Sequence, residues 1–145
     1  MAGTIEKRLA ELGISLPQPL APVANYVPFV ISGKQVFVSG QVPIVDGKPV
    51  YLGTCGDSIS TEDAARAARV CAINLLAQAR AAAGDLDNIA RVVKLVGFVS
   101  SAPGFTEQPK VVNGASDLMV EVFADKGRHA RAAVSAPASR NCACR

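Results

Sequence analysis

The strongest constraint on the fold of this 145-residue chain is the stretch Thr61–Ala83, which contains neither glycine nor proline. Its small apolar residues recur at three- and four-residue spacing, which predicts a helix with one apolar face. Ser60 can cap the helix, with Asp63 completing a capping box, and Gly84 ends it. Because alanine lets backbones approach, we expect this helix to pack closely on a sheet. The apolar positions are Ala64, Ala68, Cys71, Leu75, Ala79 and Ala82.

The residues before this helix predict mostly antiparallel strands. Thr4–Leu12 reads as a short helix ended by glycine, and Ser15–Ala24 holds three prolines and should be extended. The runs VPFVIS and QVFVSG are separated by Gly33-Lys34, and QVPIV and KPVYLG by Asp46-Gly47. Each pattern of two β-rich runs around a glycine-containing pair predicts a hairpin.

After the long helix, the run ARVVKLVGFVS predicts a strand over Ala90–Ser100. A second helix is predicted from near Gln108 to Phe123, with Pro109 tolerated in its first turn. This alternation predicts an α/β sheet with both helices on one face. Since 50% of the residues are hydrophobic, we expect the other face to be covered by sister subunits of a homo-oligomer.

Composition argues against several classes of function. The formal charge of +3 is small and scattered, so nucleic-acid binding gains little support. No apolar run approaches the ~20 residues of a membrane span, and no export signal is visible, so a cytoplasmic location is expected. The four cysteines form no C-x-x-C pair, and the sequence contains a single histidine. We therefore expect reduced thiols and no metal. The sequence contains no phosphate-binding loop and no dinucleotide-binding fingerprint, so no cofactor is expected.

Three small features could carry chemistry, and each also has a plain structural explanation. Ser39-Gly40-Gln41 ends a strand and is either a polar site or an ordinary turn. Asn113, inside the second helix, either faces solvent or makes a specific hydrogen bond. Arg131 is either a solvated edge residue or the best available group for bidentate capture of a carboxylate. His129 has no obvious Ser or Cys partner, so we expect a surface or structural role for it.

These features, in this order, resemble the RidA family, also called the YjgF family. Tyr26 precedes a strand that ends in S-G-Q-V-P at residues 39–43, and the Ala-rich helix ends in A-G as in the family. Asn113 fits the asparagine of the V-N segment, and A-R-A-A-V at residues 130–134 is similar to the family's A-R-[ST]-x-V. The resemblance covers residues 24–134. Residues 1–23 are interpreted as an N-terminal helix and Pro-rich segment of a divergent branch.

The resemblance implies a chorismate-mutase-like α/β (α+β) fold, a mixed sheet with two helices on one face, assembled as a homotrimer with clefts between subunits. It also implies an enamine/imine deaminase that hydrolyses 2-aminoacrylate-type intermediates to 2-keto acids and ammonia without a cofactor. In that scheme Arg131 is catalytic and grips the substrate carboxylate. The substrate-binding residues are then Tyr26, Ser39, Gly40, Asn113, Arg131 and the backbone at Ala133, where family members commonly carry Cys. The alternatives are a non-enzymatic binder of small carboxylates, and the endoribonuclease or translation inhibitor of older family labels.

The tail, residues 135–145, departs from the family pattern. Its sequence SAPASRNCACR contains no Asp or Glu, whereas the family ends in a strand whose glutamate is thought to position the attacking water. We interpret it as a frameshifted or misread end, which the other two reading frames of the gene would test. We therefore expect weakened turnover with carboxylate binding retained. Glu107 and Glu121 are candidate substitutes, and nothing in their spacing favours either.

Overall fold

The computed structural model describes residues 3–137 as three helices and six strands, with two short 3-10 turns at Leu86–Asn88 and Ala124–Gly127. The helices are α1 (Thr4–Glu11), α2 (Thr61–Ala83) and α3 (Gln108–Phe123). The strands are β1 (Phe29–Ser32), β2 (Gln35–Val38), β3 (Ile44–Val45), β4 (Lys48–Pro49), β5 (Lys94–Ser100) and β6 (Ala130–Ala136). The predicted bounds of α2 and α3 are confirmed, and the backbone N–H of Asp63 donates to Ser60 Oγ at 3.0 Å.

The strands pair as three two-stranded sheets. The antiparallel pairs β1–β2 and β3–β4 are the two predicted hairpins, and Asp46 and Gly47 both have positive φ, as a tight hairpin turn requires. The third pair, β5–β6, is parallel. The strand predicted over Ala90–Ser100 begins only at Lys94, because the backbone N–H of Val92 donates to the carbonyl of Lys126 in the turn before β6.

The small residues of α2, predicted to pack on a sheet, pack mainly against α3. Ala64, Ala67 and Ala68 are buried in one cluster with Val111 and Val112 of α3. A Cβ at Gly114 would collide with the carbonyl oxygen of Ala65, so the two helices approach at a distance that only glycine permits. Helix α2 also contacts β1, β2 and β3, while α3 contacts β5 and β6. The helices therefore form one layer over the strand pairs.

Helix α1 packs on the helix layer. Leu9 is buried in a cluster with Leu76 of α2 and Leu118 of α3. Arg8 Nε donates to the Glu121 carbonyl at 2.8 Å, and Arg80 forms an ion pair with Glu6. The N-terminal helix is thus part of the hydrophobic core.

No described element within residues 3–137 covers the strand face that points away from the helices. In β5 the side chains alternate between buried and exposed positions, as expected of a strand covered on one side. Val96, Phe98 and Val134 form an exposed apolar group on that face, because Phe98 lies opposite Val134 in the register. Coverage of this face by sister subunits stays a prediction.

Strand β6 runs to Ala136, so the first two residues of the atypical tail continue it. Residues 138–145, and with them the hypothesis of an altered end, lie outside the described part of the chain. Across residues 3–137, no helix is both long and apolar enough to cross a membrane.

Candidate functional site

Arg131 lies on the side of β6 that faces α3. It pairs with Leu95, and Ala133, two residues on, pairs with Gly97. A Cβ at Gly97 would meet the Val112 side chain of α3, so this side of the strand pair points at the helix. Because alternate residues of a strand share a face, Arg131 also points toward α3. Ala133 packs against the cluster that contains Val112.

Three groups of α3 hold the Arg131 guanidinium. Nη1 donates to Asn113 Oδ1 at 2.8 Å and to Ser116 Oγ at 3.1 Å, and Nη2 donates to the Pro109 carbonyl at 3.2 Å. Residues 109, 113 and 116 are four and three positions apart, which places them on one face of the helix. The specific hydrogen bond considered for Asn113 in the sequence is therefore present.

All three acceptors are neutral, so the positive charge of Arg131 is not compensated by them. Within residues 3–137 no carboxylate lies within ion-pairing distance of Arg131, although five other arginines pair with carboxylates: Arg8, Arg66, Arg69, Arg80 and Arg128. Three of the five guanidinium N–H groups are used. The two that remain, Nε–H and one on Nη2, are the number that a bidentate carboxylate needs.

His129 extends this cluster through a serine partner that the sequence did not make obvious, while its surface or structural role stays a prediction. Its Nε2 lies 2.9 Å from Ser116 Oγ, and its Nδ1 lies 2.6 Å from the Gly127 carbonyl oxygen. Sequence reasoning missed Ser116 because its partner is thirteen residues away on another element. The available signal was its position three residues after Asn113, on the same helix face.

Tyr26, Ser39 and Gly40 lie at the base of the β1–β2 hairpin. Ser39 Oγ donates to the Val27 carbonyl at 2.6 Å, and the Ser39 N–H donates to the Pro28 carbonyl at 2.9 Å. Tyr26 is exposed, and the space around Gly40 is open. The structure therefore brings Asn113 and Arg131 into contact. It shows no hydrogen bond from the hairpin to Arg131 in the described region.

The two carboxylates considered as substitutes for the family glutamate are engaged elsewhere. Glu107 accepts hydrogen bonds from Lys110 and from Thr61 Oγ1, the latter at 2.7 Å. These bonds, that of Lys110 first, lower the pKa of the Glu107 carboxyl and make it a weaker base. Glu121 forms an ion pair with Arg69 at 2.8 Å. Neither carboxylate contacts Arg131.

An open cleft lies at the other end of β6, lined by Ser135 and Pro137 together with Thr54, Ser101 and Phe105. The only charged residue in its described lining is Asp57, which does not suit an anionic ligand. No group of three His, Cys, Asp or Glu side chains is placed to hold a metal ion, as far as the described residues extend.

Comparisons with known proteins agree on one family. The family described as YjgF/chorismate mutase-like, "putative endoribonuclease", matches residues 6–144. Protein TCP17 of Trypanosoma cruzi is 49% identical over 134 residues, which are 92% of this chain and 84% of that protein.

Two solved structures are also similar over nearly the whole chain. The protein Atu1372 of unknown function from Agrobacterium tumefaciens is 49% identical with a TM-score of 0.87, over 97% of this chain and 86% of that one. A "putative endoribonuclease" from Shewanella oneidensis is 36% identical with a TM-score of 0.93, over 98% and 95% of the two chains. The chorismate-mutase-like α/β fold predicted from the resemblance is confirmed by these matches, and the homotrimer stays a prediction.

Proposed function

This chain belongs to the YjgF/chorismate mutase-like family, and from that premise we propose that it hydrolyses small enamine or imine carboxylates to 2-keto acids and ammonia, with Arg131 as the carboxylate anchor. The observation that carries the proposal is the state of Arg131. Its guanidinium is fixed by Asn113, Ser116 and Pro109 and keeps two N–H groups for an anion, and no carboxylate of residues 3–137 pairs with its charge.

The reaction needs little more than orientation and water. A 2-aminoacrylate tautomerises to 2-iminopropanoate when its methylene carbon gains a proton and its nitrogen loses one. Water adds to the imine carbon, and the resulting carbinolamine expels ammonia to leave pyruvate. Arg131 holds the carboxylate through these steps, which keeps the imine carbon at a fixed distance from the protein surface.

The proposal includes a homotrimer and a cytosolic location. The open apolar face formed by Val96, Phe98 and Val134 supports association, because a contiguous exposed apolar group typically marks an interface. In the trimer, the partner subunit's Tyr26 and Ser39 would line the cleft opposite Arg131. This arrangement would use the hairpin residues that one chain leaves exposed.

The decisive experiment generates 2-aminoacrylate in place and follows pyruvate release. We expect the wild type to accelerate release over buffer, and Arg131→Ala to return the rate to that of buffer. Arg131→Lys should recover little, because lysine lacks the planar fork that binds both carboxylate oxygens. Arg66→Ala, which removes an exposed arginine, is the matched control and should keep full activity. Equal rates for wild type, Arg131→Ala and buffer contradict the deaminase.

A non-enzymatic carboxylate binder is the second candidate, and the engagement of Glu107 and Glu121 favours it. With both carboxylates bound elsewhere, neither is free beside Arg131 to activate water. Saturable pyruvate binding that Arg131→Ala abolishes, together with no acceleration of pyruvate release, would establish the binder. Cleavage of RNA by stringently purified protein would instead support the activity named in the descriptions of the family and of the Shewanella relative.

A further inference from the structure

The contacts around Arg131 continue as a chain of hydrogen bonds that ends on the backbone of the turn before β6. The Gly127 carbonyl lies 2.6 Å from His129 Nδ1, His129 Nε2 lies 2.9 Å from Ser116 Oγ, and Ser116 Oγ lies 3.1 Å from Arg131 Nη1. These bonds join the turn at Gly127, the segment just before β6, and helix α3. The chain therefore links the guanidinium to a fixed backbone group.

The start of this chain is rigid. Gly127 is buried, and a Cβ at this position would collide with the carbonyl of Met119 in α3. Only glycine permits this approach, so the turn is locked against the helix that also carries Asn113 and Ser116. The Gly127 carbonyl is thus a fixed reference point for the His129 ring.

Two groups fix the directions of these hydrogen bonds: the Gly127 carbonyl, which only accepts, and the Arg131 guanidinium, which only donates. A carbonyl only accepts, so Nδ1 of His129 must carry a proton. In the neutral ring Nε2 is then an acceptor, and the Ser116 hydroxyl donates its hydrogen to Nε2. The lone pairs of Ser116 Oγ are left to face Arg131 Nη1. The guanidinium only donates, so Ser116 Oγ accepts from Nη1, and the bond to His129 Nε2 holds the hydroxyl hydrogen away from Arg131.

The hydrogen bond to Ser116 is the third one that fixes the orientation of the guanidinium plane. Both hydrogens of Nη1 are used, one by Asn113 Oδ1 and one by Ser116 Oγ. With Nη1 held at two points and Nη2 at the Pro109 carbonyl, the planar group cannot rotate without losing a hydrogen bond. The unused N–H groups then face a constant direction, which lowers the entropy cost of binding a carboxylate.

We propose that Ser116 and His129 are positioning residues that hold Arg131 ready for the substrate carboxylate. The proposal rests on the proposed function for the identity of the ligand, although the positioning itself can be measured without a ligand. Neither residue needs to touch the substrate. Their effect passes through the orientation of the guanidinium.

The first test uses NMR on the protein without ligand. His129 is the only histidine in the chain, so its ring signals need no assignment by mutation. We expect the tautomer with the proton on Nδ1, and a rigid Arg131 Nε–H group that becomes mobile in Ser116→Ala and His129→Ala. A proton on Nε2, or an Arg131 group equally rigid in Ser116→Ala, overturns the proposal whatever the activity of the protein.

The second test measures pyruvate affinity and the kinetics of pyruvate release. We expect Ser116→Ala to weaken pyruvate binding about tenfold, the loss of one hydrogen bond to a charged group. KM should rise while kcat changes by less than about twofold, because the contact is made in both ground and transition states. Ser116→Thr keeps the hydroxyl and should restore affinity. His129→Gln, whose amide oxygen can accept from Ser116, should restore part of it.

Ser15→Ala is the matched control, since it makes the same atomic change at an exposed position. Its affinity should equal that of the wild type, and equal affinities for Ser116→Ala and wild type overturn the positioning role. If the wild type shows the expected NMR behaviour and binds pyruvate but does not accelerate its release from 2-aminoacrylate over buffer, only the deaminase fails. Positioning of an anion-binding arginine is then supported in a binder.

Discussion

The predicted site residues lie in two regions that differ in how completely one chain packs them. The α3–β6 edge, defined by Pro109, Asn113, Ser116 and Arg131, is joined by hydrogen bonds within the chain. The hairpin β1–β2 carries Tyr26, Ser39 and Gly40 at its base and leaves many apolar side chains half exposed. These are Val27, Val30, Ile31, Val36 and Phe37.

The difference teaches that one chain is enough to fix the orientation of Arg131. The described part of the same chain leaves the hairpin exposed. The reason is the size of the residues at each contact. Glycine and alanine bring α2 and α3 together, and α3 packs on the inner side of β5 and β6. Among the described elements the hairpin contacts only α2, which is too narrow to cover both sides of two strands.

The largest expected effect comes from adding one methyl group to each region. Gly114→Ala places a Cβ against the Ala65 carbonyl and should cost about 3 kcal/mol or more, or prevent folding. Gly40→Ala adds the same atom where nothing lies within 4 Å and should leave stability unchanged. Urea denaturation of both variants measures the contrast. Similar losses in the two variants would break the distinction between a packed and an open region.

The second effect concerns the open apolar face. Phe98 is 50% exposed, and Phe98→Asp should lower the mass measured by light scattering to that of a monomer while circular dichroism shows a folded chain. The control is Val23→Asp, since Val23 is 98% exposed in the extended segment outside the strands. A wild type that already scatters as a monomer would contradict coverage by sister subunits.

The third effect concerns the anchoring of the segment after the β1–β2 hairpin to helix α2. Asn74 of α2 is 3% exposed, and its Nδ2 donates to the carbonyls of Val42 and Ile44, just after the S-G-Q segment. Asn74→Leu leaves both carbonyls without this donor and should cost about 2 kcal/mol. Urea denaturation measures the loss, with Asn25→Leu at an exposed position as the control. Equal stability of the Asn74 variant and wild type would mean that these two hydrogen bonds do not anchor the segment to α2.

The smallest effect is the pH dependence at the start of α3. Hydrogen bonds from Lys110 and then Thr61 lower the pKa of Glu107. The stabilisation is therefore present above the ordinary Glu value of about 4.3 and is lost as pH falls through the lower folded value. Glu107 raises the pKa of Lys110, so that contribution persists below about 10.4 and is lost as pH rises further.

Urea midpoints of wild type and Glu107→Gln should therefore differ at neutral pH and converge in acid. Thr61→Val, which removes the second hydrogen bond, should give a smaller difference of the same sign. Midpoints that differ by the same amount at every pH would show that the Glu107 contacts contribute nothing through charge.

The local elements of the fold were predictable because their signals lie in neighbouring residues. Ser60 and Gly84 bound α2, Pro109 fits the first turn of α3, and glycine-containing pairs mark both hairpins. The start of β5 was not predictable, because Val92 bonds to the turn at Lys126 and not to a strand. The packing of α1 into the core also depends on partners distant in the sequence, such as Glu121.

The candidate site divides in the same way. The sequence by itself determined the family, the helix that carries Asn113, and Arg131 as the first residue to mutate. Only the tertiary structure decided that Arg131 meets three neutral acceptors and that His129 bonds to Ser116. Helical spacing can place Asn113 and Ser116 on one face, but it cannot say which residue of another element they meet. The direction of a hydrogen bond at His129 follows from the position of the Gly127 carbonyl, and that position exists only in the folded chain.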